Sequence, residues 1–516
     1  TALISSYTKL SEMFIFCVIV LVIAIYFYGI RNHDYWSKRN VKYDRPWPIF
    51  GNYFNYVFGI KSITVTTTEL YNKYPNEKVV GNFCGNTPEL IIRDPDIARD
   101  ILNVDFAHFY LRGLGRDIKK EPLLQNIFSA DGDLWKLVRQ RLTPAFTTAK
   151  LKGMFPLIVK CAEKLHDLGD DIVANGGECD VRDLMARFST EFIGACGLGI
   201  EMDTITNENS VFRNMGREIF SRSLTDILAL GTYEILPEIR SYFMQLNKDL
   251  DSFFIKMITK VFKHRDYKPS GRNDFVDLLL SLAAKGTIKG ESIEHRHPDG
   301  TPKEVELEMD ELCLVAQVFV FFAAGFETSS SSTSYALHEL AYNSDLQQKI
   351  QNEIDQVLSK YDNKLCYEAV AEMTLLDLAF KEALRMLPPV GVLNRTCASQ
   401  YTIKQLGITI DPGVRIIIPV SALHHDEKYY ENPEQFKPER FATGDITSKY
   451  VYLPFGEGPR ACIGARLGHM QSLAGLAALL RKFSVEPSGK THRKLRLNHR
   501  LHVVQGVKDG IKINKP

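Results

Sequence analysis

The first pattern along the chain is an unbroken one. From Met13 to Ile30 eighteen consecutive residues, MFIFCVIVLVIAIYFYGI, carry no charge, close to the roughly twenty apolar residues that cross a bilayer as a helix. Tyr26, Tyr28, Tyr35 and Trp36 stand where amphipathic rings favour the interface. Arg31, Lys38, Arg39, Lys42 and Arg45 follow the segment, while only Lys9 precedes it. That asymmetry puts the bulk of the chain on the cytosolic side. A cleaved secretory signal has a basic start, a shorter apolar stretch and small residues at a cleavage site, and this segment has none of them. Residues 1–30 therefore read as an uncleaved membrane anchor. Residues 31–52, with Pro46, Pro48 and Gly51, read as a basic, proline-rich hinge, because proline fixes φ and removes a donor. Residues 53–516 read as one large body.

Past the hinge, helical periodicity dominates. Short strand signals cluster at KVVGNFC (78–84), PELIIRD (88–94), QYTIKQLGITI (400–410) and GVRIIIPV (413–420). This predicts a mainly α fold with a small β sector rather than an alternating βαβ fold. Residues 285–307, rich in polar residues, Gly and Pro, predict an exposed, mobile connection. From Leu312 to Phe326, LCLVAQVFVFFAAGF is again uncharged. Fifteen apolar residues are short for a span, and polar side chains follow at once, so the segment predicts a buried central helix. Asp310 stands where a cap belongs, and a helix over about 310–342 would be on the order of 48 Å long.

Charge narrows the function classes. The 63 basic and 62 acidic side chains leave a net charge of +1, which gives no electrostatic reason to expect a nucleic acid partner. Nine cysteines are scattered with no two within three residues of each other. Neither a zinc ribbon nor a dithiol motif is written here, and the odd count argues for a reducing compartment.

One cysteine has special surroundings. In YLPFGEGPRACIGARLGHMQ (452–471), Cys462 lies between Gly458 and Gly464, with Phe455 upstream and Arg460 two places before it. The glycines let backbone pass close to a flat object. Arg460 can pair with a carboxylate. Peptide N–H groups at a turn and helix N-terminus can hold a thiolate. The amphipathic run after Cys462 puts the sulfur where a loop becomes a helix.

The segment FGEGPRACIG, Phe455 to Gly464, resembles the haem-binding signature of the cytochrome P-450 family at every fixed position. The resemblance implies that family's fold, anchored by the N-terminal transmembrane helix, with haem b as cofactor. It implies Cys462 as the axial thiolate and iron ligand, Phe455 packed beside the sulfur, and Arg460 on a haem propionate. Further matches follow in the family's order. AGFETS, Ala324 to Ser329, is similar to the oxygen-binding groove of the family's central helix. There Thr328 donates to oxygen and Glu327 offers an acid for proton relay. KEALR with FKPERF implies a buried structural cluster of Glu382, Arg385 and Arg440. Trp135 and Arg139 in WKLVRQRL, joined by Arg395 in LNRTC, are implied contacts of a propionate. NVDFAHFYLRG, LWKLVRQRLTPAFT and FVFFAAGFETSSS resemble microsomal insect members.

The implied reaction is insertion of one oxygen atom from O2 into a lipophilic substrate, a xenobiotic or an endogenous lipid or hormone. The chain has no flavin or nicotinamide fingerprint of its own, so an NADPH-dependent flavoprotein reductase is the expected partner, at the endoplasmic reticulum membrane. Lys136, Arg141, Lys150, Lys152, Arg466, Arg481 and Lys482 are candidates for its docking face. Candidate substrate-lining residues are Phe106, Phe109, Leu124 and Phe128, then Phe321, Phe322 and Phe326 on the central helix, and Val390 and Leu393 after the Pro388-Pro389 pair. Two other readings stay open: a peroxide-rearranging haem-thiolate isomerase, and a non-catalytic haem sensor. The Glu327–Thr328 pair counts against both.

Overall fold

Caps set where the helices begin. Asp310 accepts a hydrogen bond from the Cys313 N–H at 2.7 Å and opens the longest internal helix. Asp180 does the same for Arg182 and Asp183, and Asp274 for Asp277, satisfying donors that have no partner inside a first turn. The computed structural model describes residues 2–114, 120–205, 207, 210–220, 248–444, 450–495 and 510–515. Its longer helices are α1 (Ala2–Ile30), α2 (Gly132–Leu142), α3 (Thr148–Ala174), α4 (Val181–Ile193), α5 (Val211–Phe220) and α6 (Lys248–His264). They continue as α7 (Phe275–Ala283), α8 (Glu311–Ala341), α9 (Ser344–Ser359), α10 (Thr374–Met386) and α11 (Ala465–Lys482).

Among the described residues two helices are long and apolar enough to cross a membrane, and burial separates them. Of the most apolar stretch of Ser11–Ile30 only 6% is buried, against 61% for Glu311–Ala341. The side chains of α1 from residue 11 to residue 27 are exposed. Helix α8 is apolar on every side because neighbours surround it: it packs most extensively on α4 and also meets α6, α10 and α11. It is the spine of the helical core, as its short apolar run predicts.

The β sector is small and has its own core. One four-stranded sheet is ordered β1 (Val79–Cys84), β2 (Thr87–Ile92), β9 (Arg415–Ile418), β6 (Leu393–Thr396). Strands β1 and β2 form a hairpin, β2 and β9 run parallel with Leu90 opposite Ile416, and β6 and β9 run antiparallel with Arg395 opposite Ile416. The segment 31–52 is not a free joint but is docked on this sheet. Trp36 is fully buried, its indole N–H donating to the Asn82 carbonyl at 3.0 Å, and Tyr43 bridges Gly81. Gly81 makes room for this: a Cβ there would come within 2.5 Å of the Trp36 ring. A second sheet, β10 (Ser484–Pro487), β11 (Gly510–Asn514), β3 (Glu178–Asp180), ties the end of the chain to the start of α4.

The connection expected over 285–307 is ordered instead. Strands β4 (Ile288–Arg296) and β5 (Pro302–Leu307) pair antiparallel around a turn at 297–301. The hairpin is pinned to α2: the Ser292 hydroxyl and the Ile293 N–H both donate to Asp133, and Glu294 accepts from the Asp133 N–H. Ile288 and Ser292 face inward while most of the remainder is exposed. The polar composition reports that solvent face, and the sparse alternation concealed the strands.

Candidate active site

The loop ahead of α11 folds back on itself. The Cys462 N–H donates to the Phe455 carbonyl at 2.8 Å, and the Ala461 N–H donates to Gly458 at 2.9 Å. Gly456 and Gly458 hold positive φ, and a Cβ on Gly458 would fall 1.9 Å from the Leu102 carbonyl oxygen. No side chain fits there. Of nine cysteines only Cys17, on α1, and Cys462 are exposed. Surrounding protein nevertheless desolvates the Cys462 sulfur and raises its pKa, opposed by the Gly464 N–H and by the guanidinium groups of Arg139 and Arg112. A sulfur that is both accessible and desolvated lies at the wall of an interior space. Phe455 is half-buried, its ring 6.5 Å from that of His469.

Beside the loop lies a group of four arginines, Arg395 and Arg460 buried and Arg112 and Arg139 half-buried. Burial lowers the pKa of Arg395 and Arg460 to about 9 and that of Arg112 to about 10, and Arg112 pushes Arg395 and Arg460 down further. Burial also lowers that of Arg139. Arg460 donates to the carbonyls of Tyr110 and Ala130 and to Asp131 at 2.7 Å, and its guanidinium lies 4.2 Å from the Trp135 ring centroid. Arg139 reaches the Ala461 carbonyl at 2.9 Å. Arg395 donates only to its neighbour's carbonyl, and its Nε is buried without a partner. One carboxylate, Asp131, accepts from Arg460 and from the Arg112 and Gly113 N–H groups. Four cations around one anion leave the cluster short of negative charge. The two propionates of a haem fit that deficit, and Cys462 fits its iron.

In the middle of α8 Val320, Ala324 and Thr328, four residues apart on one face, are accessible, together with half-buried Phe321, Ala323 and Gly325. The Thr328 hydroxyl donates back to the Ala324 carbonyl at 2.7 Å. Glu327, one residue away and so about 100° around the helix, points elsewhere. Its buried carboxylate accepts from Arg182 of α4 at 2.9 Å and from Ser331 at 2.8 Å. The structure does not bring the Glu327 and Thr328 side chains together.

It does bring together Glu382, Arg385 and Arg440. Arg385 donates to both carboxylate oxygens of Glu382, at 2.8 and 2.9 Å, and to the carbonyls of His424 and Pro433. Arg440 Nε and the Lys437 N–H complete the shell of Glu382. His424 carries this cluster to the ligand loop. Its Nδ1 lies 3.0 Å from the Arg385 carbonyl, and its Nε2 accepts from the Leu453 N–H at 2.9 Å. Burial drops its pKa to about 3, so the ring is neutral with the proton on Nδ1.

Four of the nine substrate-lining candidates, Phe109, Leu124, Phe322 and Phe326, are core side chains in the structure, and Phe321 is half-buried. Phe109 is buried edge-on to Tyr401 in the β-sector core. Leu124 is buried in the helical core. Phe321 stacks on Phe275 of α7, Phe322 packs on Phe254 of α6, and Phe326 stacks near Phe220 of α5. The buried rings of Phe322 and Phe326 fill the gaps between α8 and its neighbours. Phe106, against Trp135, and Leu393 are half-buried, while Phe128, under Arg112, and Val390 are exposed. Most of the candidate docking cations have internal partners: Lys152 with Glu368, Lys482 with Asp170, and Arg141 and Arg481 on carbonyls.

Sequence reasoning missed Arg112, Asp131, Val320 and His424. The Arg112 signal was present in YLRG but had no spacing to Cys462 to draw on. His424 and His425 were indistinguishable as neighbours, and only the fold selects His424.

The cytochrome P450 family model matches residues 41–511. The chain is 37% identical to cytochrome P450 6a2 of Drosophila melanogaster, covering 96% of this chain and 98% of that one. It is 35% identical to cytochrome P450 6B7 of Helicoverpa armigera, covering 96% of each. It is 34% identical to cytochrome P450 6B1 of Papilio polyxenes, covering 92% and 93%.

Proposed function

The chain belongs to the cytochrome P450 family of haem-thiolate monooxygenases, and on that premise we propose that it oxidises lipophilic small molecules at a haem b held between Cys462 and the Val320–Ala324–Thr328 stripe. The observation that carries this reading is the desolvated, accessible Cys462 sulfur beside an arginine cluster short of negative charge. Cys462 holds the iron. Arg112, Arg139, Arg395 and Arg460 hold the propionates, with Asp131 fixing Arg112 and Arg460. When bound, the haem supplies oxygen activation, one atom of O2 entering the substrate and the other leaving as water at the cost of two electrons.

The chain's own residues bind, orient and move protons. The small side chains of Val320, Ala324 and Thr328 on α8 leave room for substrate, and Phe106, Phe128, Phe321, Val390 and Leu393 are the remaining wall candidates. Thr328 gives up its bond to Ala324 to hold oxygen or a water. Glu327 acts at one remove: tied to half-exposed Arg182, it connects the interior to solvent, and a rotamer change would hand protons toward Thr328. Helix α1 anchors the body to the cytosolic face of the endoplasmic reticulum, the segment 31–52 fixing its angle. Electrons come from an NADPH-dependent flavoprotein reductase.

The test is NADPH consumption by the full chain with added reductase and a panel of lipophilic compounds. Substrate-dependent consumption with oxygenated product supports the reading. Turnover of a peroxide without NADPH or O2 would make the chain an isomerase instead, and haem binding without any turnover a sensor.

A further inference from the structure

Gln317 is a fully buried carboxamide among apolar residues of α8. Seven residues separate it from Ala324, close to two full turns. It therefore shares the face of Val320, Ala324 and Thr328 and lies about 10 Å along the axis from Ala324. Its carboxamide reaches off the helix to the segment 121–131. Oε1 accepts from the Ile127 N–H at 2.9 Å, and Nε2 donates to the Gln125 carbonyl at 3.2 Å as well as to the Cys313 carbonyl of its own helix at 3.0 Å. The segment it holds is stiff. The buried Asn126 side chain accepts from the Phe128 and Ser129 N–H groups and donates to the Leu123 carbonyl, so the turn is tied to itself. Further on, the Phe128 carbonyl accepts from Arg112, and Ala130 and Asp131 accept from Arg460. The segment thus runs from the arginines beside Cys462 to the accessible face of α8. At one end the arginines fix it, and at the other Gln317 does. An apolar side chain of equal length would fill the same volume but leave an interior N–H and an interior carbonyl without these partners.

We propose that Gln317 is a positioning residue for substrate: it sets where the 121–131 wall stands over the Val320–Ala324–Thr328 face, and with that the length of lipophilic molecule that fits there. Gln317 acts through the wall and touches no substrate itself. The proposal rests on the reading of Cys462 and that face as the two sides of a haem pocket.

The test titrates the purified holoprotein with 1-alkylimidazoles, whose ring nitrogen ligates haem iron while the chain probes the wall, and follows the shift of the Soret band. In the native chain affinity should rise with chain length and fall once the chain meets the wall. Gln317→Leu should hold the same haem content and bind unsubstituted imidazole as before. It should nevertheless move the break to longer chains and cut the preference for the optimal length over 1-dodecylimidazole about fivefold, the factor that one neutral hydrogen bond carries. Gln317→Glu, which keeps an acceptor for the Ile127 N–H, should lie between the two. An unchanged length profile in Gln317→Leu, or in Gln317→Glu if only that variant holds haem, overturns the proposal alone. Loss of haem from both variants makes Gln317 a part of the folding core and overturns it as well. A native holoprotein whose Soret band does not respond to imidazole overturns the pocket reading and the proposal with it.

Discussion

Two groups of arginines, each with a buried core, are tied to the ligand loop, and they differ in one respect. Around Glu382, every guanidinium nitrogen of Arg385 donates to a carboxylate or carbonyl oxygen, and the carboxylate receives Arg385, Arg440 and a backbone N–H. Around Cys462, Asp131 takes the guanidinium of Arg460 and only the backbone N–H of Arg112, Arg139 reaches a carbonyl, and Arg395 keeps a buried Nε without a partner. A buried charge that satisfies itself stabilises a fold; a cluster of buried charges that does not is built to receive something. The first group is a clamp and the second a receptor, although both are spelled with the same residue type.

The largest effect should come from breaking the clamp. Arg385→Ala leaves Glu382 buried without its closest partner and should cost about 3–5 kcal/mol, so that little folded protein carrying haem is recovered. Normal yield and haem content would show that the clamp is dispensable. Arg395→Gln should behave in the opposite way. It removes an uncompensated charge, so the haem-free chain keeps or gains thermal stability. The holoprotein loses a charge-assisted bond worth about 2 kcal/mol, roughly a 30-fold faster haem loss to an acceptor. A fall in apoprotein stability would place Arg395 with the clamp.

His424 joins the two regions and supplies a pH test. Its pKa is about 3 in the fold against about 6.5 in an unfolded chain, so the unfolded state takes up the proton first. The stability it contributes is complete above pH 6.5 and drains as pH falls toward 3, by about 2 kcal/mol between pH 6.5 and 5. Thermal unfolding across that range should show the loss, and His424→Gln should be less stable at pH 7.5 but flatter toward acid. A parallel acid limb in the variant would assign the loss to other groups.

Much of this was legible in the chain. The uncharged run at 13–30, the Asp310 cap and the short apolar stretch 312–326 define the two long helices, because length, charge and polar flanks separate a span from a spine. FGEGPRACIG carries the loop, because glycines on both sides of one cysteine ahead of a helical run leave few alternatives. Burial between distant segments was not legible. Periodicity shows that Phe321, Phe322 and Phe326 lie on a helix, but not that α5, α6 and α7 cover them. Glu327 beside Thr328 in sequence suggested a pair, whereas helix geometry sends them to different neighbours. Arg112 and Asp131 meet Arg460 across more than three hundred residues, a distance over which no spacing rule operates.

The account stands most directly on Cys462. The purified holoprotein, reduced under carbon monoxide, should show the red-shifted Soret band of a thiolate-ligated haem, and Cys462→Ser should lack it at equal folded yield. The same red-shifted band in the serine variant would contradict the assignment of this sulfur as the iron ligand.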